Sequence, residues 1–362
     1  MDGMGNDATF DVVVIGCGLT GATAANLLGQ LGLRTLVLER DTALYPSPRA
    51  IVFDDEVLRI LQAIGIGEQL GKLTAPLERA QYINGAGRVL VDIPLKEMVT
   101  VTGHPFVSAF YQPEMELLLR TRLGDFPSVT VRTGHEVEAI AQDADAVHLT
   151  VHDLASGQTG AVHARYVLGC DGARSFTRKA LGISLMDMRQ DAAWLVVDAD
   201  VNAADPFPIW NFQVCHPARP TTFVHGRGKH LRWEFKLRRG ERPDEVTHPE
   251  RIRDLIRKAP MVGIDPDLIT IQRSAVYTFH AAIAEHWQQG RVFLLGDAAH
   301  QMPPFLGQGA CAGLRDAMNL AWKLHGYPDW SYLYQSPFPY ASALAVVRDD
   351  PAGERPGQEL GQ

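Results

Sequence analysis

The sequence has few cysteines and no long apolar run, and each absence excludes a class of protein. Its four cysteines form no CxxC pair and have no histidine at metal-ligand spacing, so we expect neither a disulfide framework nor a metal site. No stretch reaches the roughly 18 apolar residues that a membrane-spanning helix needs. These features predict a cytoplasmic protein with reduced thiols that does not enter a membrane.

The sequence also lacks a concentrated basic stretch. Its formal net charge is −8, which argues against a nucleic-acid partner, because phosphate contacts need clustered Lys and Arg. The first ten residues contain Asp2 and Asp7 but no Lys or Arg, unlike a signal peptide. With 46% apolar and 21% charged residues, the composition is typical of a globular protein large enough for one two-part unit or two domains.

A βαβ unit is predicted near the start of the chain. The continuous apolar run at residues 11–15 is typical of a strand buried on both faces of a parallel sheet. A helical pattern follows at 20–31, and a second strand-like run follows at 34–38. Elements of these lengths form the usual right-handed crossover unit.

The turn between that strand and helix carries a G-x-G-x-x-G motif formed by Gly16, Gly18 and Gly21. The first glycine permits a tight turn, the second lets the backbone approach a pyrophosphate, and the third lets the helix pack close to the strand. Glu39 ends the second strand, where a carboxylate can accept hydrogen bonds from ribose hydroxyls. The pattern predicts a dinucleotide site but does not choose between NAD and FAD.

The middle of the chain has a different residue pattern, with mainly strand-like segments. Residues 80–93 alternate in polarity around the turn signal Asn84-Gly85, and strand-like segments dominate from about 190 to 280. We interpret this region as an antiparallel sheet, followed by a buried strand at 291–295. The strands of the sheet are predicted at 194–201, 208–214, 221–225 and 231–237, and helices at 54–64, 112–123, 249–258 and 309–324.

Two further motifs identify a family. Cys170-Asp-Gly172 follows one strand-like run, and a longer segment that begins Gly296-Asp297 and ends at Gly309 follows another. With the glycine loop, these motifs stand in the order found in the class A flavoprotein aromatic hydroxylases. The sequence resembles that family over roughly residues 10–324. Each motif alone is only modestly specific for the family, but the three together are highly specific.

The resemblance implies a mixed α/β and α+β fold, in which a Rossmann-like FAD-binding domain carries an inserted antiparallel-sheet substrate domain. After residue 324 the sequence departs from the family pattern, because Gly326-Tyr-Pro328 interrupts the helix. We assign residues 8–78, 100–187 and 284–324 to the FAD-binding domain, 79–99 and 188–283 to the substrate domain, and 325–362 to a short coil-rich tail.

The resemblance also implies which residues bind FAD. The glycine loop would face the pyrophosphate, Glu39 the adenosine ribose, and Asp297 the ribityl–phosphate end. Asp171 would serve both FAD and the nicotinamide nucleotide, and the helix after Gly309 would point its N-terminus at the flavin, which is negatively charged when reduced. The expected cofactor-binding residues are Gly16, Gly18, Leu19, Thr20, Gly21, Glu39, Arg40, Arg49, Gln112, Val137, Asp171, Gly296, Asp297, Pro304, Gly307 and Gly309.

The implied activity is hydroxylation of a phenolic ring, with FAD, O2 and NADH or NADPH, through a flavin C4a-hydroperoxide. The segments 48–56, 276–278 and 313–323 resemble the branch of the family that converts 3-(3-hydroxyphenyl)propionate or 3-hydroxycinnamate to the 2,3-dihydroxy product. Two alternatives stay open: a tailoring hydroxylase of a polycyclic phenol, and a non-catalytic flavin-binding remnant. A halogenase is disfavoured because no GWxWxIP-type motif occurs. The resemblance also makes a homodimer possible.

Three residues are candidates for catalysis. Tyr277 resembles a tyrosine that faces the substrate in phenol-hydroxylating relatives, or it is a core aromatic. Asp54 stands where relatives carry a carboxylate on the substrate side, or it caps a helix. His300 contacts substrate or flavin, or supports residues that do.

Two further sets of residues on the substrate side have alternative interpretations. Four aromatic residues at alternating spacing line a pocket or, as we favour, form a sheet core. Three arginines are candidates to hold a substrate carboxylate. The aromatic residues are Trp210, Phe212, Trp233 and Phe235, and the arginines are Arg219, Arg232 and Arg273.

Overall fold

The computed structural model describes residues 9–188, 191–202, 207–304 and 307–326. The chain divides into two units, Met1–Trp322 and Lys323–Gln362, and the fold and site described below belong to the first. The predicted tail at 325–362 lies outside the described residues, except for residues 325 and 326. Those two continue the last helix, so the helix runs slightly further than predicted.

The described residues form runs of consecutive strands separated by helices. The strands are β1 (Thr9–Ile15), β2 (Thr35–Glu39), β3 (Val52–Asp54), β4 (Thr74–Pro76), β5 (Arg79–Asn84), β6 (Val89–Ile93), β7 (Val107–Phe110), β8 (Val129–Thr133), β9 (His135–Gln142), β10 (Val147–Asp153), β11 (Thr159–Gly169), β12 (Leu185–Asp187), β13 (Ala192–Val201), β14 (Trp210–Cys215), β15 (Thr221–His225), β16 (His230–Lys236), β17 (Ile269–Phe279), β18 (Ala282–Ala284), β19 (Gln288–Gln289), β20 (Val292–Leu294) and β21 (His300–Gln301). The helices are α1 (Leu19–Gln30), α2 (Asp55–Leu61), α3 (Gly67–Leu73), α4 (Gln112–Arg122), α5 (Phe176–Ala180), α6 (Pro243–Val246), α7 (Pro249–Arg257) and α8 (Gln308–Gly326).

The first sheet has eight strands and contains the predicted βαβ unit. Its main path is β19-β20-β11-β1-β2-β8, and β10 and β9 extend it from β11. The strands β1, β2, β8, β11 and β20 pair in parallel. Val13, Leu36 and Val167 are fully buried in its core. Apolar runs of this kind form central parallel strands because helices or other layers cover both faces.

The second sheet has seven strands in the order β17-β13-β16-β15-β14-β5-β6. Its pairs are antiparallel, as predicted, with the exception of β14 and β5, which pair in parallel. Parallel pairing requires a long connection between the two strands, and these strands are separated by more than a hundred residues of chain. The hairpin formed by β5 and β6 comes last in the strand order and thus lies at one edge of the sheet.

The two faces of the second sheet differ because strand side chains alternate in direction. Leu195, Phe223 and Trp233 point to one face and pack with Ile252 and Ile256 of α7 in a buried core. The four aromatic residues that the sequence assigns to either a pocket or the sheet core belong to this face. Phe212, Trp233 and Phe235 are core members, and Trp210 packs against them. The sheet-core interpretation is confirmed. The opposite face borders the cavity described below.

Most of the predicted helices appear within a few residues of their expected bounds. The helix expected at 54–64 is shorter, because Asp54 is its N-cap and α2 ends at Leu61. The chain then forms a π-helical turn, Gln62–Ile66, in which Gly65 has a φ of +86°. None of the helices within the described residues has the length and apolarity needed to cross a membrane.

Candidate flavin and substrate cavity

A cavity of about 920 Å³ lies between the glycine loop of the first sheet and the polar face of the second. The volume falls within the range of cofactor and ligand sites. Many of the predicted cofactor residues line it. Those on the wall are Gly18, Leu19, Thr20, Arg49, Gln112, Asp297, Pro304, Gly307 and Gly309.

The three glycines of the loop differ in their steric surroundings. Gly16 has a φ of +95°, and a Cβ there would lie 2.6 Å from the carbonyl oxygen of Cys170. A Cβ on Gly21 would lie 2.0 Å from the carbonyl oxygen of Gly16. No atom lies within 4 Å of a Cβ built on Gly18, which borders the cavity. Packing thus requires the first and third glycines, whereas the second leaves room for a ligand.

Glu39 ties the glycine loop to the end of β2. Its Oε2 accepts a hydrogen bond from the Cys17 N–H at 2.7 Å, and its Oε1 accepts one from the Asp41 N–H at 2.9 Å. Neither Arg40 nor Val137 is on the cavity wall: Arg40 is exposed, and Val137 is packed in the core of the first sheet. Alternation along β9 turns the Val137 side chain into that core.

Gln112 holds the loop that contains Arg49. Its Oε1 accepts hydrogen bonds from the N–H groups of Arg49 and Ala50, at 2.8 and 2.7 Å, and its Nε2 donates to Glu116 Oε1 at 2.6 Å. The Arg49 guanidinium carbon lies 5.5 Å from the centre of the Tyr45 ring. Gln112 therefore fixes the backbone of the loop and leaves the Arg49 side chain at the cavity.

Asp297 faces the cavity from the segment after β20. Its side chain is accessible through the cavity while protein surrounds it, and this desolvation raises the pKa of Asp297, opposed by the nearby His300 and Arg49. Its carboxylate makes no hydrogen bond to the residues that the structure describes. A carboxylate that is accessible through the cavity and has no partner in the described part of the chain is free to accept hydrogen bonds from hydroxyl groups of a ligand.

His300 lies behind this segment and is absent from the cavity wall. Its Nε2 lies 2.7 Å from Asp316 Oδ2, which also accepts the Gly296 N–H at 2.9 Å. Gly296 has a φ of +59°, and a Cβ there would approach Thr20 Oγ1 at 2.8 Å. This placement favours a role for His300 in positioning the Gly296–Asp297 segment over direct contact with the substrate.

Asp171 stabilises the start of α5. Its Oδ2 accepts hydrogen bonds from the N–H and the hydroxyl of Thr177, at 2.8 and 2.9 Å. Its Oδ1 is buried and has no partner among the described residues. The adjacent Gly172 lines the cavity, with no atom within 4 Å of a built Cβ.

The residues on this side of the cavity fit a dinucleotide such as FAD. Gly18, Gly172 and Gly309 form a cradle with open space where side chains would stand. No side chain caps the N-terminus of α1, so its N–H groups can receive phosphate oxygens. The first residues of α8 also line the cavity, where a helix N-terminus favours negative charge.

Tyr277 lies on the substrate side of the cavity wall. Its hydroxyl accepts a hydrogen bond from Arg273 Nη1 at 3.0 Å. Burial raises the pKa of Tyr277, and the Arg273 charge opposes this effect. The phenol of Tyr277 therefore remains protonated at neutral pH, and its hydroxyl also interacts with that of Tyr45.

Asp54 lines the cavity, but both of its carboxylate oxygens have partners. Oδ1 accepts the Val57 N–H at 3.0 Å as the N-cap of α2, and Oδ2 pairs with Arg315. The structure thus shows the helix cap that the sequence allowed. A role as a base would require Asp54 to give up one of these partners.

A buried cluster around Asp198 was missed by sequence reasoning. The Asp198 carboxylate accepts hydrogen bonds from His230 Nε2, Arg232 Nε and Arg273 Nη2, at 2.8, 2.8 and 2.7 Å. Burial alone would raise its pKa, but the hydrogen bond from His230 and the charge of Arg232 outweigh burial and lower it. Asp198 within the apolar run of β13 was the available signal, because a buried carboxylate requires partners.

The same two arginines hold the Arg49 loop. Arg232 Nη2 and Arg273 Nη2 both donate to the carbonyl oxygen of Pro48, at 2.6 and 2.9 Å, and Arg232 Nη1 donates to that of Arg49 at 2.7 Å. The third candidate, Arg219, pairs with Glu241 and is not on the cavity wall. All three arginines proposed as carboxylate ligands thus have protein partners already.

Comparison with known proteins identifies the family and similar hydroxylases. The chain is 39% identical over 327 residues to a probable NADH-specific resorcinol 4-hydroxylase of Rhodococcus jostii, covering 88% of this chain and 60% of the relative. It is 39% identical over 316 residues to a 3-(3-hydroxy-phenyl)propionate/3-hydroxycinnamic acid hydroxylase of Burkholderia cenocepacia, covering 87% of this chain and 57% of the relative. The chain therefore spans less than two thirds of either relative.

Solved structures share the fold. A p-nitrophenol 4-monooxygenase of Pseudomonas putida superposes with a TM-score of 0.80 at 24% identity, covering 91% of this chain and 82% of that one. An aklavinone-11 hydroxylase, in a ternary complex with FAD and aklavinone, gives a TM-score of 0.77 at 26% identity, covering 91% and 63%. The predicted fold class is confirmed. Residues 9–327 match the FAD binding domain, and the chain belongs to this family.

Proposed function

We propose that the chain binds FAD and forms the site of a monooxygenase that hydroxylates a phenolic ring, with NADH or NADPH and O2 as co-substrates. The observation that carries this proposal is a cavity bordered by a dinucleotide cradle on one side and by polar sheet side chains on the other. The names of the two relatives, both hydroxylases of phenolic compounds, support it.

The cofactor side of the cavity would hold FAD through backbone and side-chain groups. The N–H groups at Gly18 would bind the pyrophosphate, and Asp297 would accept hydrogen bonds from ribityl hydroxyls. The N-terminus of α8 would favour negative charge on the flavin ring. When bound, FAD supplies the reducing equivalents taken from NADH or NADPH and the activation of oxygen.

The substrate side would prepare the phenol for attack. A phenolate is more nucleophilic than a phenol, so a group that stabilises developing negative charge on the phenolic oxygen promotes hydroxylation. Tyr277 borders the cavity, and the Arg273 guanidinium bonded to its hydroxyl supplies positive charge. We infer that Tyr277 hydrogen-bonds the phenolic oxygen and that Arg273 acts through it.

The relatives support two candidate substrates. The name of the Burkholderia relative supports 3-(3-hydroxyphenyl)propionate or 3-hydroxycinnamate, with the 2,3-dihydroxy compound as product. The name of the Rhodococcus relative, at the same identity, supports resorcinol and NADH.

The cysteines Cys17, Cys170, Cys215 and Cys311 are free, which is our basis for proposing a cytoplasmic, reducing location.

The test is turnover by the FAD-loaded chain. We expect either phenolic compound to stimulate NADH or NADPH oxidation and to yield a hydroxylated product, with one product formed for each nucleotide oxidised. Mass spectrometry with 18O2 would show that the added oxygen comes from O2. Retention of flavin with no hydroxylated product from any phenol would overturn the proposed activity and leave a flavin-binding protein.

A further inference from the structure

The cavity-facing side of the second sheet carries two rows of side chains, which we call the polar floor. Strand register places Gln213 opposite Thr222 and Thr222 opposite Glu234, so these three form one row. Asn211 and Arg232 flank Val224 in the other. All of these residues line the cavity, and alternation along each strand turns their neighbours toward the apolar core.

Two acceptors of the polar floor have no hydrogen-bond donor among the described residues. Glu234 is only 6% exposed, and its carboxyl group makes no hydrogen bond. Arg232 Nη1 stands 4.0 Å from Glu234 Oε1, beyond hydrogen-bond distance. The Oδ1 atom of Asn211 is also buried and unpartnered. Buried acceptors without donors are unfavourable, and a bound ligand with O–H groups would satisfy them.

The cations near the polar floor are engaged elsewhere. Arg232 and Arg273 each bind Asp198 and the carbonyl oxygen of Pro48. Of the other arginines on the wall, Arg315 pairs with Asp54 and Glu56, and Arg49 stands on the cofactor side near Asp297. A carboxylate placed on the polar floor would therefore meet acceptors, and Arg49, the one wall arginine without an ion pair among the described residues, stands on the cofactor side.

We propose that the polar floor selects an uncharged aromatic substrate with a second hydroxyl group, whose O–H donates to Glu234. Asn211 supplies a further acceptor two strands away for a donor on the same or a larger ring system. The inference rests on the proposed function and narrows its substrate class. It favours a dihydroxybenzene over a phenol that carries a propionate.

The test is calorimetric titration of the FAD-loaded chain with four small ligands. Phenol and 1,3-dihydroxybenzene differ by the second hydroxyl, and 3-propylphenol and 3-(3-hydroxyphenyl)propionate differ by the charge. We expect 1,3-dihydroxybenzene to bind about tenfold more tightly than phenol, as one good buried hydrogen bond allows. We expect the propionate to bind no more tightly than 3-propylphenol.

Variants of Glu234 separate its role as an acceptor from its role in packing. E234L should abolish the preference for 1,3-dihydroxybenzene over phenol. E234Q keeps an acceptor oxygen and should retain most of the preference. N211L tests the second acceptor, and E245Q, at an exposed residue of α6, is the matched control. Flavin content and melting temperature show that each variant folds.

The outcomes distinguish this inference from the proposed function. Tighter binding of the propionate than of 3-propylphenol, or a preference for 1,3-dihydroxybenzene that survives E234L, would overturn the inference. If the chain hydroxylates the propionate efficiently, the proposed function stands and the inference fails. A FAD-loaded chain that binds none of the four ligands would contradict both.

Discussion

The two sheets that border the cavity contribute to it in different ways. The first sheet contributes mainly backbone, through glycines whose packing or open space is fixed by their neighbours. The second contributes side chains, from Tyr82 on β5 to Tyr277 on β17. Backbone recognition suits a cofactor that is the same in many enzymes, whereas side chains can be exchanged without altering the sheet. The comparison teaches that cofactor binding and substrate choice are built from separable parts.

Because cofactor binding and substrate binding depend on different residues, a variant can lose one without losing the other. Changes in the glycine cradle should reduce flavin content before they affect anything else. Changes on the polar floor should alter the binding of aromatic ligands while flavin is retained. The Asp198 cluster is the exception, because its arginines join the second sheet to the Arg49 loop. Damage there should affect both sides.

The largest expected effect is that of G21A. A Cβ at Gly21 would lie 2.0 Å from the carbonyl oxygen of Gly16, so the loop must move, which costs about 3 kcal/mol or more. We expect almost complete loss of FAD and a lower melting temperature. G18A is the control, because its Cβ meets no atom within 4 Å. It should weaken FAD binding but leave the melting temperature of the FAD-free chain unchanged, and equal melting temperatures for G18A and G21A would contradict this account.

The second-largest expected effect is the loss of stability in D198N. Removing this charge leaves Arg232 and Arg273 buried without their carboxylate, which costs about 3–5 kcal/mol. Urea unfolding at pH 7 would measure the loss, with the exposed D145N as control. Both flavin content and ligand affinity should fall, because the cluster holds the Arg49 loop. Loss of only one of them would show that the cluster does not join the two sides.

The contribution of Asp198 should also depend on pH. Its folded-state pKa is lowered, below the unfolded value of about 3.9. The stabilisation is therefore fully present above about pH 4 and is lost as pH falls through the folded-state pKa. Unfolding measured from pH 7 to pH 3 should show a constant difference between the wild type and D198N above about pH 5 and a smaller difference at pH 3. A constant difference across that range would contradict the assignment.

D297A should have a moderate and selective effect. Its carboxylate has no hydrogen bond within the described part of the chain, so removing it should leave stability nearly unchanged. Losing a hydrogen bond to FAD should weaken retention about tenfold, or about 1.4 kcal/mol. Flavin content after gel filtration measures this, with D145A as control. Unchanged flavin content would remove Asp297 from the cofactor site.

The smallest effect on flavin binding is expected for Y277F. The variant keeps the ring and removes the hydroxyl that accepts from Arg273. Flavin content should change little, whereas phenol affinity should fall by about tenfold or less, hydroxylation should slow about tenfold and more NADH should be oxidised per product. Product yield per NADH is the measurement. A variant with normal turnover and yield would show that Tyr277 is only part of the wall.

The comparison of the two sheets also explains what the sequence could predict. The glycine loop and Glu39 lie within one short βαβ unit, so their spacing in sequence reports their spacing in the fold. The Asp198 cluster draws on β13, β16 and β17, and no local pattern shows that register brings these residues together.

Local predictions succeeded where the sequence carries a local signature and failed where it does not. Asp54 was rightly allowed as a cap because helix starts have such a signature. The strand β9 was missed, since its polar sequence alternates weakly. The placement of Val137 in the core follows from that strand, and the sequence alone could not give it.

The central claim is that one cavity holds the flavin and the aromatic ring together. The most direct measurement is the difference absorbance spectrum of the FAD-loaded chain during titration with 1,3-dihydroxybenzene. We predict a saturable perturbation of the flavin bands whose midpoint matches the calorimetric Kd, because the ligand would border the flavin ring. Calorimetric binding without any change in the flavin spectrum would contradict the claim and place the aromatic ligand elsewhere.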